Sequence, residues 1–138
     1  MIRPLDLDFA VSPQIAPEDV AAIAAQGFKA IVNNRPDGEG FDQPSGAEIA
    51  AAAADAGLRY AEIPVAGGFS HEQLDALAAV VDAGGPVLAY CTSGTRSCLL
   101  WALSAAKRGA DPAELTQKAM AAGYSLAPVA GMLRALQP

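Results

Sequence analysis

Apolar positions along this 138-residue chain switch between two periods. Short apolar runs at 7–11, 28–33, 58–65 and 87–90 read as strands, and the last of them follows the breaker Gly84-Gly85-Pro86. Between and after them the apolar residues recur every three or four positions, which predicts helices. Val20, Ala21, Ile23 and Ala24 do so within 18–26, behind Pro17, a favourable first helical residue. An alanine-rich segment spans 46–56 and stops at Gly57. Ser70 caps 71–83, with Glu72 in its first turn and Leu74, Leu77, Ala78 and Val81 on one side. Residues 97–107 continue the helical spacing; Asp111 caps 112–122, Gly123 ends it, and 126–136 forms a last helix.

Strand and helix alternate four times before a purely helical tail. That order predicts a single α/β domain over 1–138, with a mostly parallel central sheet of about four to five strands flanked by helices and a helical C-terminal tail. In such a sheet ligands bind at the carboxyl ends of the strands. The loops 34–45 and 66–70 leave the same rim as the turn after residue 90.

That turn carries the candidate chemistry. Cys91 ends the run Val87-Leu88-Ala89-Tyr90 and is followed by Thr92-Ser93-Gly94-Thr95-Arg96-Ser97, which leads into a helix. A helix N-terminus gathers unpaired backbone N–H groups and the positive end of the helix dipole, so it holds anions. The same field and a nearby guanidinium bring a thiol pKa into the range of roughly 3.5–7.5, which makes Cys91 a nucleophilic thiolate. Thr92, Ser93, Gly94, Thr95 and Arg96 would wrap an oxyanion with their amides, and Arg96 adds a planar two-pronged donor. Gly94 permits a left-handed turn, and the Ser97 hydroxyl can donate to the Cys91 sulfur.

Composition narrows the partners. At 52% hydrophobic residues the chain can bury a sizeable core, and its net charge of −6 provides no basic stripe for nucleic acid or an anionic membrane. No stretch approaches the roughly 18 apolar residues of a membrane span, and the first residues do not read as a signal peptide. Two cysteines seven apart and a single histidine give neither a disulfide framework nor a zinc-type ligand set, so no metal and no cofactor is expected. A reducing, cytoplasmic setting is the expectation.

The fragment Cys91-Thr92-Ser93-Gly94-Thr95-Arg96-Ser97 resembles the loop of rhodanese-type sulfurtransferases, and it is similar to a shortened protein tyrosine phosphatase signature, with four residues between Cys and Arg instead of five. Phe9-Ala10-Val11-Ser12-Pro13-Gln14, Asn33-Asn34-Arg35-Pro36-Asp37-Gly38 and Ala61-Glu62-Ile63-Pro64-Val65 resemble, in that order, the phosphatase-like domain of the beta-lactamase-hydrolase-like family. The likeness runs over roughly residues 2 to 125 and implies a cysteine-phosphatase-like fold.

Three functions follow from these likenesses. Phosphatases of this fold form a phosphocysteine while an Asp on the loop after the 58–65 strand protonates the leaving oxygen. Here that loop reads Val65-Ala66-Gly67-Gly68-Phe69-Ser70 and holds no carboxylate. Asp37 is the substitute candidate, although Pro36-Asp37-Gly38 is also an ordinary turn. Sulfur transfer needs no such acid, because sulfite leaves thiosulfate as an anion. The favoured expectation is therefore a thiol-dependent sulfurtransferase that carries a persulfide on Cys91 to an acceptor such as glutathione. Hydrolysis of phosphate monoesters is the alternative, and an anion- or persulfide-sensing module the third.

The resemblance also implies a separate persulfide dioxygenase as partner, because domains similar to this one occur fused to such enzymes. Arg35 either adds positive charge for a small anionic substrate or pairs with a neighbouring acid. His71 reads as a solvated helix start, Cys98 as a core residue with a resolving thiol as the alternative, and Trp101 as packing. Tyr90 stands where tyrosine phosphatases usually carry His, which leaves a Cys–His pair unsupported.

Overall fold

The computed structural model describes residues 1–137. Five strands, β1 (Arg3–Asp6), β2 (Phe9–Ser12), β3 (Ala30–Asn33), β4 (Arg59–Glu62) and β5 (Val87–Tyr90), form one sheet in the order β1-β2-β5-β3-β4. All neighbours are parallel except β1 and β2, which form an antiparallel hairpin. Six helices accompany it: α1 (Val20–Ala25), α2 (Gly46–Asp55), α3 (His71–Asp82), α4 (Thr95–Lys107), α5 (Pro112–Ala121) and α6 (Ala130–Ala135). The architecture is the single α/β domain with a mostly parallel sheet and helical tail that the alternating periods imply.

The central strands are buried along their whole length, as parallel strands covered on both faces must be. Successive side chains enter different cores. Phe9, Val11, Ala30, Val32, Val87 and Ala89 join the core beneath α3, α4, α5 and α6, whereas Ala10, Ile31, Leu88 and Tyr90 pack with Ile23 of α1 and Ile49 and Ala53 of α2.

Several boundaries differ from the sequence expectation. The run at 7–11 is not one strand: Leu7 is almost fully exposed at the tip of the β1–β2 hairpin, where its N–H donates to Asp6 Oδ1 at 2.9 Å. The first expected helix is split into a 3-10 turn over Pro17–Asp19 and the six-residue α1. The last is likewise split into a 3-10 turn over Ala127–Val129, which contains Pro128, and α6. Leu126, Val129 and Leu133 are buried in this chain's own core, so the tail covers the sheet. Arg3 fastens that tail, donating to the Ala122 carbonyl at 3.0 Å and lying 5.4 Å from the centre of the Tyr124 ring.

In register, Ser12 and Asn33 both pair with Tyr90. The carboxyl ends of β2, β5 and β3 therefore finish level, and Cys91 is the next residue on the middle one.

Candidate active site

Cys91 is buried, at 1% exposure, at the foot of the turn between β5 and α4. Gly94 has φ of 92° and opens α4; its N–H donates to Cys91 Sγ at 3.1 Å. A Cβ at Gly94 would strike the Tyr124 hydroxyl, and that hydroxyl donates to the Ser93 carbonyl at 3.0 Å. The left-handed backbone and the neighbour together demand glycine here. The helix begins at Thr95, two residues earlier than the apolar spacing indicates, so Arg96 stands on the first turn of α4 and not in the loop before it.

Burial disfavours a charged Cys91. The Ser97 amide and hydroxyl, followed by the Ser93 and Gly94 amides, act in the opposite direction and prevail, holding the thiol below its usual range. Cys98 lacks those donors; burial and the Cys91 charge push it up to about 12, so it is an inert thiol in the core.

Arg96 is the electrostatic centre of the site. Its Nη1 donates to the Val65 carbonyl at 2.9 Å and its Nη2 to Thr92 Oγ1 at 2.9 Å. Both also reach the Glu39 carboxylate, Nη1 to Oε2 at 2.8 Å and Nη2 to Oε1 at 2.9 Å. This is the paired geometry in which guanidinium binds carboxylate and phosphate alike. The contact with Glu39 and the nearby Cys91 charge both hold the guanidinium more firmly protonated. Arg96 and Arg35 in turn hold the Glu39 carboxyl below the usual carboxylate range, Arg96 with the greater effect.

The 34–45 loop delivers Glu39. Gln43 accepts from the Glu39 and Gly40 amides at 3.0 and 3.1 Å and donates to the Pro36 carbonyl at 2.9 Å. Arg35 Nε reaches Glu39 Oε1 at 3.2 Å, and its Nη1 donates to Gln14 Oε1 at 3.0 Å. Arg35 thus pairs with an acid and borders the site as well. Asp37, the candidate acid in the sequence, instead accepts from the Gly46 amide at 2.8 Å, at the start of α2.

Ser97 is fully buried, and its hydroxyl donates to Asn34 Oδ1 at 2.8 Å. Ser93 and Thr95 share a hydroxyl contact of 2.9 Å beside the loop. Glu39 as a site residue, and the part played by Asn34, are not evident from the sequence pattern. The Asn33-to-Gly38 fragment with Glu39 directly after it was the available signal for both. His71 is exposed at the start of α3, and among the described residues no group of three His, Cys, Asp or Glu side chains is arranged to hold a metal. No described helix is long and apolar enough to cross a membrane.

The mostly parallel sheet, with a buried cysteine, a left-handed glycine and an arginine at the turn from its middle strand into a helix, is that of an α/β domain with a cysteine-phosphatase-like fold. Residues 1–108 match the model of the beta-lactamase hydrolase-like protein phosphatase-like domain, and the chain belongs to that family. It is 41% identical over 105 residues to a beta-lactamase hydrolase-like protein of Agrobacterium fabrum, a match covering 75% of this chain and 24% of that one. The chain thus spans about a quarter of the length of that relative. A crystal structure of a candidate phosphatase from Neisseria meningitidis superposes with a TM-score of 0.85 at 33% identity, covering 99% of this chain and 98% of the other. P. aeruginosa TpbA, solved in complex with pTyr, shares the fold alone, with a TM-score of 0.60 at 20% identity over 85% of this chain and 70% of its own.

Proposed function

We propose that this chain hydrolyses phosphate monoesters through a Cys91 phosphocysteine. The observation that carries the reading is the two-pronged contact between Arg96 and a carboxylate on the turn that holds a thiolate-prone Cys91. Two oxygens of a phosphoryl group fit the same fork, and the amides of residues 92–96 are the donors for the charge that develops on it. Thiolate attack on phosphorus expels the alcohol; water then releases phosphate and regenerates the thiolate, with Ser97 as a donor to the sulfur. TpbA's complex with pTyr supports an aryl phosphate as one substrate class.

Sulfur transfer drew its appeal from the missing acid in Val65-to-Ser70. Glu39, arriving from another loop, brings to Arg96 the carboxylate which that stretch lacks. The family and the Neisseria meningitidis neighbour also favour phosphate.

The test is turnover of p-nitrophenyl phosphate by wild type and Cys91→Ser, with intact-protein mass spectrometry after brief exposure to that substrate or to thiosulfate. Phosphate release and a transient phosphoryl adduct on the wild type alone support hydrolysis. One added sulfur atom, discharged by glutathione and accompanied by no phosphate release, overturns it in favour of sulfur transfer. Anion binding that survives Cys91→Ser, without turnover of either substrate, overturns it in favour of a binding module.

A further inference from the structure

The loop that supplies the general acid in phosphatases of this fold offers only a backbone carbonyl here. Val65 accepts from Arg96, and residues 65–70 contain no ionisable side chain. Asp37 is committed to the Gly46 amide at the start of α2. Glu39 is the carboxylate that both Arg96 terminal nitrogens contact. Its backbone is held by Gln43, and Arg35 packs close over Gly40, where a Cβ would come within 2.7 Å of Arg35 Nη2.

We propose that Glu39 is the proton donor to the leaving group: it rests in the Arg96 fork as a stand-in for substrate and moves aside, onto Arg35, when the phosphoryl group takes the fork. The proposal rests on the phosphatase reading above.

The exchange is chemically balanced. Arg96 binds two oxygens of the incoming phosphate in place of the two Glu39 oxygens, so the guanidinium never lacks a partner. Arg35 Nε, already 3.2 Å from Glu39 Oε1, keeps the displaced carboxylate beside the site. A substrate that arrives as the monoanion brings one proton, which passes to Glu39 once Arg96, the larger of its two restraints, binds phosphate instead and the phosphate charge beside it outweighs the remaining pull of Arg35. In the first step the S–P bond forms, the P–O bond to the leaving group breaks, and the Glu39 proton moves to the departing oxygen. In the second step water attacks phosphorus, its proton returns to Glu39, and the S–P bond breaks to restore the Cys91 thiolate. Because Glu39 competes for the fork, it also raises the substrate concentration needed to fill the site.

The test compares wild type, Glu39→Gln, Glu39→Asp and Asp37→Asn on two substrates: p-nitrophenyl phosphate, whose leaving group departs as a stabilised anion, and a simple alkyl phosphate, whose leaving group requires a proton. For Glu39→Gln, kcat on the alkyl phosphate is expected to fall by roughly 10²-fold or more, the scale of general-acid catalysis, while kcat on p-nitrophenyl phosphate falls far less. Its KM for p-nitrophenyl phosphate is expected to drop, because the amide is a weaker competitor for Arg96. Glu39→Asp, which keeps the carboxyl, should restore part of the alkyl phosphate rate.

Equal losses on both substrates, or a change in KM alone, would reduce Glu39 to a counterion and overturn the proposal. A leaving-group-selective loss in Asp37→Asn instead of Glu39→Gln would transfer the role to Asp37. Wild-type failure to hydrolyse either substrate removes the phosphatase reading itself, an outcome distinct from turnover that is indifferent to Glu39.

Discussion

Ser97 donates its hydroxyl proton to Asn34 Oδ1 at 2.8 Å, so the donor that steadies the Cys91 thiolate is anchored to the end of the neighbouring strand. Asn34 is itself tied at every main-chain group: its N–H donates to the Tyr90 carbonyl and its carbonyl accepts from Val65. Its Nδ2 donates to the Ile63 carbonyl at 2.8 Å, which fixes which end of the amide faces Ser97. A hydroxyl has one proton, so Asn34 and the Cys91 sulfur share its use. In the structure the hydroxyl points to Asn34, and a charged sulfur is expected to draw it toward Cys91.

Replacing Ser97 therefore changes the acidity of Cys91. In Ser97→Ala the thiolate absorbance, taken as a difference from Cys91→Ser, should titrate at higher pH than in the wild type. Cys98, pushed up to about 12, stays silent through neutral pH. The stability sign follows from linkage. Because folding lowers the Cys91 pKa, its ionisation stabilises the native state fully above the pKa of an unfolded thiol, about 8.5, and the contribution is lost as pH falls through the folded value. The melting-temperature advantage of wild type over Cys91→Ser should accordingly be larger at alkaline than at acidic pH, and Ser97→Ala should narrow it.

Asn34→Leu tests the anchor. The substitution strands the Ile63 carbonyl in a fully buried place and removes the acceptor for Ser97. An orphaned buried polar group costs about 1–3 kcal/mol, so denaturant unfolding should show a loss of that size. An unchanged midpoint would mean that the Ser97 and Ile63 groups find other partners.

Arg96→Lys separates charge from shape. The guanidinium serves Glu39, Val65 and Thr92 at once through two nitrogens held in one plane, whereas an ammonium is a single point donor on a flexible stem. Retention of charge should not rescue turnover: kcat/KM for p-nitrophenyl phosphate is expected to fall by roughly 10²- to 10³-fold, the loss typical of removing one oriented donor to a developing oxyanion. Near-wild-type turnover would show that positive charge alone suffices.

What could be read from the sequence was what neighbouring residues decide. The β5 run, the glycine at residue 94, the Arg five positions after Cys91 and the caps at Ser70 and Asp111 are local signals, and each marks a strand, turn or helix start that the fold contains. Glu39 and Arg96 lie 57 residues apart, and their meeting depends on the path of the 34–45 loop, which Gln43 sets by side-chain bonds that no periodicity reveals. Asn34 and Ser97 are 63 residues apart, joined only because β3 and β5 are neighbours. β1 escaped notice for a different reason: only Leu5 of its four residues is buried, so the strand has too little alternation to register, while exposed Leu7 imitates a core position.

The hinge at Gly94 offers the sharpest test of how the tail supports the site. Alanine there must hold a φ near 92°, costing about 1–2 kcal/mol, and its Cβ would displace the Tyr124 hydroxyl that bonds the Ser93 carbonyl. Gly94→Ala should thus lose stability by at least that amount and lose turnover, because the Gly94 amide would no longer face Cys91 Sγ. Tyr124→Phe removes the colliding oxygen at the cost of one hydrogen bond. In a double-mutant cycle read by denaturant unfolding, the pair should be less destabilised than the sum of the single changes, with a coupling of about 0.5–3 kcal/mol as expected for residues in direct contact. Strict additivity would mean that the backbone strain at Gly94, and not the pressure of Tyr124 from the C-terminal segment, fixes the glycine; the sub-additive outcome would make that segment a structural support of the turn.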